Sequence, residues 1–582
     1  MVRTIVCTAM CGIVGYYGDD EAAEKIYRGL KKLEYRGYDS AGIATAGNPT
    51  IKVEKAVGEV ENVSDPQIDG TSGIGHTRWA THGGVTEENA HPHVSEEEKI
   101  AVVHNGIIEN YQELKDELDV EFKSETDTEV IPHLLERELE KHGKVEEAVH
   151  SVMQQLEGSY AVAAMLNTGE MIAFRKDSPL VIGVLEGEYF VASDVTPFLE
   201  HTQEAVFLQD GDYAVIDGEY RVFQDGERVE REVQEIDWDA EQASKEGHEH
   251  FMEKEIKEQP KTVKRAAFQD NSDLEEAVDM MDEAEKIYLT GCGTASFAAS
   301  LGAKYLREAG YNVETEQSHE LEYRSEEITE DDLVIAVSQS GETADLLSLL
   351  DEVEADVLAV VNVVGSTLAR QAEHKLYVNA GPEIGVASTK AFTAQIAVLR
   401  LLGYAGEGRI ENGRKSLLET AEKIEETIIE NQEVVEDFSD YLTEKDHVYF
   451  IGRNKGHEMA REANLKLKEL SYIHAEAFPG GEFKHGTLAL VEEDTPVVAF
   501  LKDEGYSQAY SNMMEAHSRG ADVVSVGTEE IEESEFHVQV PEDENSEILE
   551  IVPFQMAAYL TAVKKGNNPD KPRNLAKSVT VK

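Results

Sequence analysis

Twice in its second half this chain runs an apolar strand into a glycine turn and then a helix. Lys286-Ile287-Tyr288-Leu289-Thr290-Gly291 does so first, and His447-Val448-Tyr449-Phe450-Ile451-Gly452 repeats it. A further apolar strand follows each, Leu333-Val334-Ile335-Ala336-Val337 and Pro496-Val497-Val498-Ala499-Phe500. Continuous apolar runs mark strands covered on both faces, and their alternation with helices predicts doubly wound parallel-sheet α/β modules. At 582 residues the chain also exceeds what a single core of about 250–300 residues accommodates. We expect two such modules, over 281–425 and 440–572, with a tail at 573–582.

Residues 11–240 carry a different pattern, mixed short strands and helices. Ile100-Ala101-Val102-Val103 and Tyr160-Ala161-Val162-Ala163-Ala164-Met165 read as strands, and 130–141 as a helix. The apolar-poor stretch around 237–250 predicts an inter-domain linker, so 241–280 is expected to hold linker and leading helix.

Charge narrows the partners. Acidic residues number 117 against 53 basic, a formal charge of −64, and they are spread along the whole chain. Such a surface, of the kind haloarchaeal proteins carry, is tolerated where salt screens self-repulsion. It repels duplex nucleic acid and anionic membranes, so neither is an expected partner. Three cysteines make no disulfide framework and fit a reducing cytoplasm. Residues 1–10 lack the apolar length of a signal peptide, and no run of 18 apolar residues exists to span a membrane.

Cys11 follows Met10 in Met10-Cys11-Gly12-Ile13-Val14-Gly15. As residue one, it would join a thiol nucleophile to an α-amine of pKa about 7.7–8.0, able to act as its general base. At position eleven that nitrogen is an amide and cannot. Residues 1–10 are therefore expected to be an extension or propeptide absent from the working protein. A start at Met10 with methionine trimming is the favoured route.

Further clusters occupy the same domain: Glu34-Tyr35-Arg36-Gly37-Tyr38-Asp39-Ser40, Gly75-His76-Thr77-Arg78-Trp79-Ala80-Thr81-His82-Gly83, His91-Pro92-His93, His104-Asn105-Gly106 and Ser124-Glu125-Thr126-Asp127-Thr128. Taken singly, Arg78 and Asp127 could form a structural ion pair, and Asn105-Gly106 a tight turn. Metal ligation by His76, His82, His91 and His93 matches no common zinc spacing. Together the clusters resemble the class II glutamine amidotransferase domain, an N-terminal-nucleophile hydrolase with an αββα sandwich. That resemblance implies Cys11 as nucleophile, with Asn105 and the Gly106 N–H as oxyanion hole. It implies glutamine binding by Arg78, Thr81, His82, His91 and Asp127, and an ammonia gate at Trp79.

In the second half, the strand ending at Val337 runs into Ser338-Gln339-Ser340-Gly341-Glu342-Thr343 and then a helix. A hydroxyl-rich glycine turn before a helix N-terminus suits phosphate. Helix capping by Ser340 with Thr343 explains the same residues without a ligand. Gly291-Cys292-Gly293-Thr294-Ala295-Ser296 occupies the equivalent place after its own strand. These segments resemble the sugar isomerase (SIS) domains. With Ala380-Gly381-Pro382-Glu383-Ile384-Gly385-Val386-Ala387-Ser388-Thr389-Lys390, Lys466-Leu467-Lys468-Glu469 and the tail from Arg573, the whole of 11–582 resembles the isomerising glutamine–fructose-6-phosphate aminotransferase family.

The resemblance implies ammonia release from L-glutamine and its transfer to fructose 6-phosphate, giving glucosamine 6-phosphate. It implies a Schiff-base Lys577, a proton-shuttling Glu469, and a ring-opening His485 supplied across a homodimer. Lys466 is implied as a second amine, and Thr294, Ser338, Gln339, Ser340, Thr343, Val386 and Ser388 as sugar-phosphate contacts. No metal or organic cofactor is required. One departure stands out: the family's Cys-Gly-Thr-Ser reads Cys-Gly-Thr-Ala here, and Ser296 is the candidate substitute for the missing hydroxyl. Other amidotransferases need a different second half, such as a phosphoribosyltransferase motif or iron–sulfur cysteines. A non-catalytic sugar-phosphate sensor would not need Cys11, Glu469 or Lys577.

Overall fold

A computed structural model of the chain describes residues 11–34, 37–47, 49–63, 68–79, 83–176, 178–236, 245–502 and 505–577. The expected extension 1–10 lies outside these, as do Thr81, His82 and most of the linker stretch, 237–244. The chain divides into two units, Met1–Ala243 with Ala576–Lys582, and Ser244–Leu575.

The first unit is built on two antiparallel sheets. In the eight-stranded one, Gly12–Tyr17 lies between Tyr189–Ala192 and Ser72–Arg78, with Ser40–Thr45 beyond. The seven-stranded one carries Ile100–Ile108 beside Gly158–Leu166. Alternate residues of a strand face opposite ways, and Ile100–Ile108 shows why both faces must be apolar here. Ala101 and Val103 pack with Ile13 and Ile74 of the other sheet, whereas Ile100 and Val102 pack with Val130, Leu134 and Val149. Those last residues belong to the helices Val130–His142 and Val145–Met153. On the opposite side, Ala22–Leu33 lays Ile26 and Leu30 against Gly75, where a Cβ would come within 2.4 Å of Ile26. The result is the expected αββα sandwich.

The second unit holds two five-stranded parallel sheets with one and the same strand order. The first runs Val313–Gln317, Ile287–Gly291, Leu333–Ser338, Asp356–Val361, His374–Tyr377. The second runs His474–Pro479, His447–Gly452, Pro496–Phe500, Asp522–Gly527, Phe536–Gln539. Both therefore change direction between their first and third strands, the switch point at which open α/β sheets bind ligands. Leu333, Ile335 and Val337 face one core and Val334 and Ala336 the other, which accounts for the unbroken apolar run. The core under Leu289 and Ile335 also takes in Phe450, Val498 and Leu467, so both sheets share it. Each such fully buried aliphatic contributes about 1.5–3 kcal/mol.

The passage expected as linker and leading helix is mostly two helices, Phe251–Ala267 and Asn271–Glu283, whose Met252, Ile256, Val263 and Leu274 belong to that shared core.

Candidate active site

The register that sets Gly12 opposite Thr77 brings Cys11 beside Arg78, at the end of two central strands. The Trp79 backbone brackets the thiol: its N–H donates to Cys11 Sγ at 3.3 Å, and its carbonyl lies 3.7 Å from the same sulfur. Burial pushes the Cys11 thiol up to about 11; the Trp79 N–H and the charge of Arg78 oppose this without cancelling it. To act as a nucleophile, a thiol held this way would need a local base, which the peptide nitrogen of an uncut chain cannot be.

Asn105 spans the site. Its Nδ2 donates to the Cys11 carbonyl at 2.8 Å, and its Oδ1 pairs with His76 Nε2 at 3.0 Å. With Oδ1 accepting, His76 carries its proton on Nε2, and burial holds the ring neutral by lowering its pKa to about 3. His76 stacks on His91 at 4.2 Å, and His91 meets His93 edge-on at 4.8 Å. His91 accepts the His104 N–H through Nδ1 at 3.4 Å, and burial lowers its pKa well below the ordinary value. The sequence marked His76 only as a rejected metal ligand; its place against Asn105 was missed.

Gly106 requires glycine twice over. Its φ is +126°, and a Cβ would fall 2.0 Å from the Ser159 carbonyl. Asp127 accepts the Ile108 N–H at 2.8 Å, which fixes one carboxylate oxygen beside the same strand. Its loop is pinned by the buried Glu129, which accepts N–H bonds from Lys123 at 2.7 Å and Ser124 at 2.6 Å. Arg78 is 4% exposed and donates to Gly84 O at 3.3 Å; burial lowers its pKa, which the nearby Asp127 and Asp39 carboxylates only partly offset. Trp79 packs its ring edge-on against Tyr38, 5.3 Å away.

In the second unit, the two loops of the first sheet's switch point carry Thr294, Ser338, Gln339, Ser340 and Thr343, five of the residues expected to contact phosphate. Gly341 has φ +68°, and a Cβ there would sit 2.1 Å from Ser366 Oγ. Ser338 is buried and its hydroxyl accepts the Gly341 N–H at 2.9 Å, which folds the turn on itself. Ser340 accepts the Glu342 N–H at 3.1 Å, while the residue preceding helix Ala344–Glu352 is Thr343, with no side-chain cap bond. The capping role considered for Ser340 is therefore not taken up. Gln339, Ser340 and Thr343 stay partly exposed. Ser296 does not replace the hydroxyl absent at Ala295, because it is buried and donates to Gly293 O at 2.7 Å.

Helix Lys455–Ser471 of the second sheet completes this cluster. Lys466 Nζ donates to Thr294 Oγ1 at 3.1 Å and to Glu469 at 2.8 Å, and lies 3.5 Å from Glu462. Positions 462, 466 and 469 share one helix face. One buried cation faces two carboxyls, and the closer pair is Lys466–Glu469. Glu462 is fully buried, and desolvation pushes it up to about 8 despite Lys466, with the Glu469 charge adding to the rise. For Lys466, burial opposes its charge, but Glu462 and Glu469 outweigh it and raise the pKa. The sequence missed Glu462, one acid among many on a charged helix.

Val386 is buried and donates its N–H to Asp570 O at 3.2 Å; Ser388 is partly exposed. Two buried carboxylates hold this loop. Glu255 accepts the Ile384 and Gly385 N–H groups at 2.5 and 3.2 Å, and Glu383 those of Thr389 and Ala391 at 2.8 and 3.0 Å. His485 stands exposed on the turn after Gly480–Phe483. Lys577 groups with the first unit.

A buried cysteine at a strand end of an αββα sandwich, and a hydroxyl-lined switch point on one of two paired parallel sheets, are the arrangement of a glutamine amidotransferase domain joined to SIS domains, and the comparisons place the chain in that class. Residues 76–200 match the glutamine amidotransferase domain family, and 280–405 and 441–565 the SIS domain family. The proteins called glutamine–fructose-6-phosphate aminotransferase [isomerizing] of Clostridium perfringens, Thermococcus kodakarensis and Halobacterium salinarum are each 43% identical, across 98% of this chain and 100% of theirs. The chain belongs to that family. The solved C-terminal domain of glucosamine-fructose-6-phosphate aminotransferase from Francisella tularensis matches 56% of this chain and 100% of its own length, at 31% identity and a TM-score of 0.52. A solved Clostridium novyi structure, named as a putative tagatose-6-phosphate ketose/aldose isomerase, shares the fold at 18% identity and a TM-score of 0.51, over 56% of this chain and 93% of its own.

Proposed function

We propose that the chain hydrolyses L-glutamine at Cys11 and delivers the ammonia to fructose 6-phosphate, which it isomerises to glucosamine 6-phosphate. The bracketed thiol, its Asn105 neighbour and the Thr294–Lys466–Glu469 cluster support both halves of this reading, and the family supplies its substrates.

In the first half-reaction the Cys11 α-amine, freed by loss of residues 1–10, takes the thiol proton as sulfur attacks the side-chain carbonyl of glutamine. Asn105 and the Gly106 N–H stabilise the oxyanion, Arg78 binds the α-carboxylate and Asp127 the α-ammonium, with Thr81, His82 and His91 lining the pocket. Ammonia leaves past Trp79, and water releases glutamate from the thioester. In the second, His485 of a partner copy opens the sugar ring, and Lys577 condenses with the C2 carbonyl, releasing water. Ammonia then adds to the C2 imine and releases the lysine amine, and Glu469 carries a proton from C1 to C2, turning the new imine into the 2-amino aldose. Thr294, Ser338, Gln339, Ser340, Thr343, Val386 and Ser388 hold the sugar phosphate, with Lys466 keeping Glu469 in place. The exposure of His485 on the single chain supports a homodimer, and the sparse cysteines support a cytoplasmic setting. Among the described residues no helix is long and apolar enough to cross a membrane.

The test is glucosamine 6-phosphate formation from glutamine and fructose 6-phosphate in molar salt, with N-terminal sequencing of the active species. Sugar binding without turnover would sink the enzymatic reading in favour of a sensor. Activity in a species retaining residues 1–10 would sink the role of a free Cys11 amine.

A further inference from the structure

Cys292, His319 and Asp345 take no part in the reaction just described. Each follows a different strand of the first parallel sheet. Cys292 comes directly after Ile287–Gly291, His319 lies in the helical turn Ser318–Leu321 after Val313–Gln317, and Asp345 opens Ala344–Glu352 beyond Leu333–Ser338. Those strands are neighbours, with Ile287–Gly291 in the middle. Parallel neighbours deliver their following residues to the same sheet edge, so three separate loops converge. A thiol sulfur, an imidazole nitrogen and a carboxylate oxygen all lie within 4.8 Å of one another there. All three side chains are partly exposed, so an ion can reach them.

The trio is held from behind. Thr290 Oγ1 donates to the Glu316 carbonyl at 2.9 Å and pairs with the Ser318 hydroxyl at 3.0 Å. That ties the start of the His319 turn to the strand leading into Cys292. Each residue has an ordinary role of its own: Cys292 hydrogen-bonds Ser318, Asp345 complements its helix N-terminus, and His319 approaches Glu320 at 4.0 Å. None of the three roles requires three different ligand types to meet.

We propose that Cys292, His319 and Asp345 bind one soft divalent cation, of the Zn²⁺ class, at the mouth of the sugar-phosphate loops. A thiolate and an imidazole select zinc-like ions over Mg²⁺ or Ca²⁺, which demand oxygen shells. With metal–ligand distances of about 2.0–2.3 Å, tetrahedral donors stand about 3.3–3.8 Å apart, which a small rotation of these exposed side chains reaches. Three protein ligands leave the fourth position to water. Binding exchanges the thiol proton, which leaves to solvent, for a dication, so the local charge rises by one unit. That gain falls two residues before Thr294 and two after Thr343, in a chain of formal charge −64, and so favours a phosphate dianion. This last step rests on the sugar-phosphate reading above; the metal binding does not.

Metal-free full-length protein titrated with Co²⁺ tests the site, because thiolate ligation gives a near-ultraviolet charge-transfer band. The band should saturate at one equivalent, persist in Cys11→Ala and vanish in Cys292→Ser. His319→Gln should weaken Co²⁺ binding about tenfold or more. No band in the native protein, or one that survives Cys292→Ser, overturns the site. Zn²⁺-loaded protein should bind fructose 6-phosphate several-fold more tightly than metal-free protein, a difference Cys292→Ser should erase. Equal or weaker affinity overturns the coupling to phosphate. If fructose 6-phosphate binds neither form while the Co²⁺ band still follows Cys292, the metal site stands and the sugar-phosphate reading falls.

Discussion

Thr294 and Lys466 are 172 residues apart along the chain, and their side chains meet at 3.1 Å. Thr294 opens the helix after the first strand of one sheet, and Lys466 lies on the helix after the first strand of the other. The hydroxyl that would face phosphate thus also fixes the amine that faces Glu469. Substituting either end should loosen both functions.

Glu462 makes stability depend on pH in an unusual direction. Its pKa rises from 4.5 unfolded to about 8 folded, so the native chain holds a proton that the unfolded chain releases. The contribution is whole below pH 4.5 and is lost as pH rises through about 8. Glu462→Gln, neutral at every pH, should gain on the native protein in denaturation midpoint as pH climbs from about 5 to about 9. A constant difference across that range refutes the assignment.

Ala295→Ser restores a hydroxyl that Ser296 does not supply. A hydrogen bond to a charged phosphate contributes about 1.5–3 kcal/mol, so fructose 6-phosphate affinity should rise roughly tenfold or more. Calorimetric titration at fixed high salt reads it, and unchanged affinity rules the idea out.

His76 is expected to act through Asn105. Asn105→Ala should lower kcat for glutamine hydrolysis by about 10²–10³, the usual loss for one oxyanion donor. His76→Ala should also lower kcat, with KM near native. Added to Asn105→Ala it should do nothing more, because its partner is gone. Additive losses in the double variant would show that His76 has some other role.

Acid should unpin the Asp127 loop. Burial opposes the Glu129 charge, but His133 beside it at 4.0 Å and the bonds from Ser124 and Lys123 hold its pKa down to about 2. That stability is present above pH 4.5 and is lost as pH falls toward 2. Glu129→Gln should therefore be destabilised near neutrality, with its deficit closing in acid. A deficit independent of pH in thermal unfolding would contradict this.

The parallel strands were legible because both faces are buried: Leu333 to Val337 leaves no polar position to blur the pattern. The αββα strands were harder, and only Ile100–Ile108, Gly158–Leu166 and the helix Val130–His142 stood out. Candidate site residues with distinctive chemistry, such as Cys11 and Asn105, stood out in the sequence, and the structure brings them together. Buried carboxyls were not, since Glu255, Glu383 and Glu462 look like any other acid in so acidic a chain. The 462/466/469 spacing could have shown a shared face, but nothing in it says that the face is buried. Loop hydroxyls misled for a related reason: what Ser296 and Ser340 bond to depends on backbone dihedrals that residue type does not set.

The strand order repeated in both sheets has a consequence for divisibility. Two copies of one architecture ordinarily suggest two modules that could live apart, each with its own crevice. Here the copies have specialised unequally, one keeping the hydroxyl loops and the other lending a helix face to its sister. A break in the connection near residue 440 would leave one fragment with a pocket lacking its cation, and the other with a cation lacking its pocket. The duplication is thus irreversible in practice: what look like two halves of a protein are one machine that happens to be symmetric.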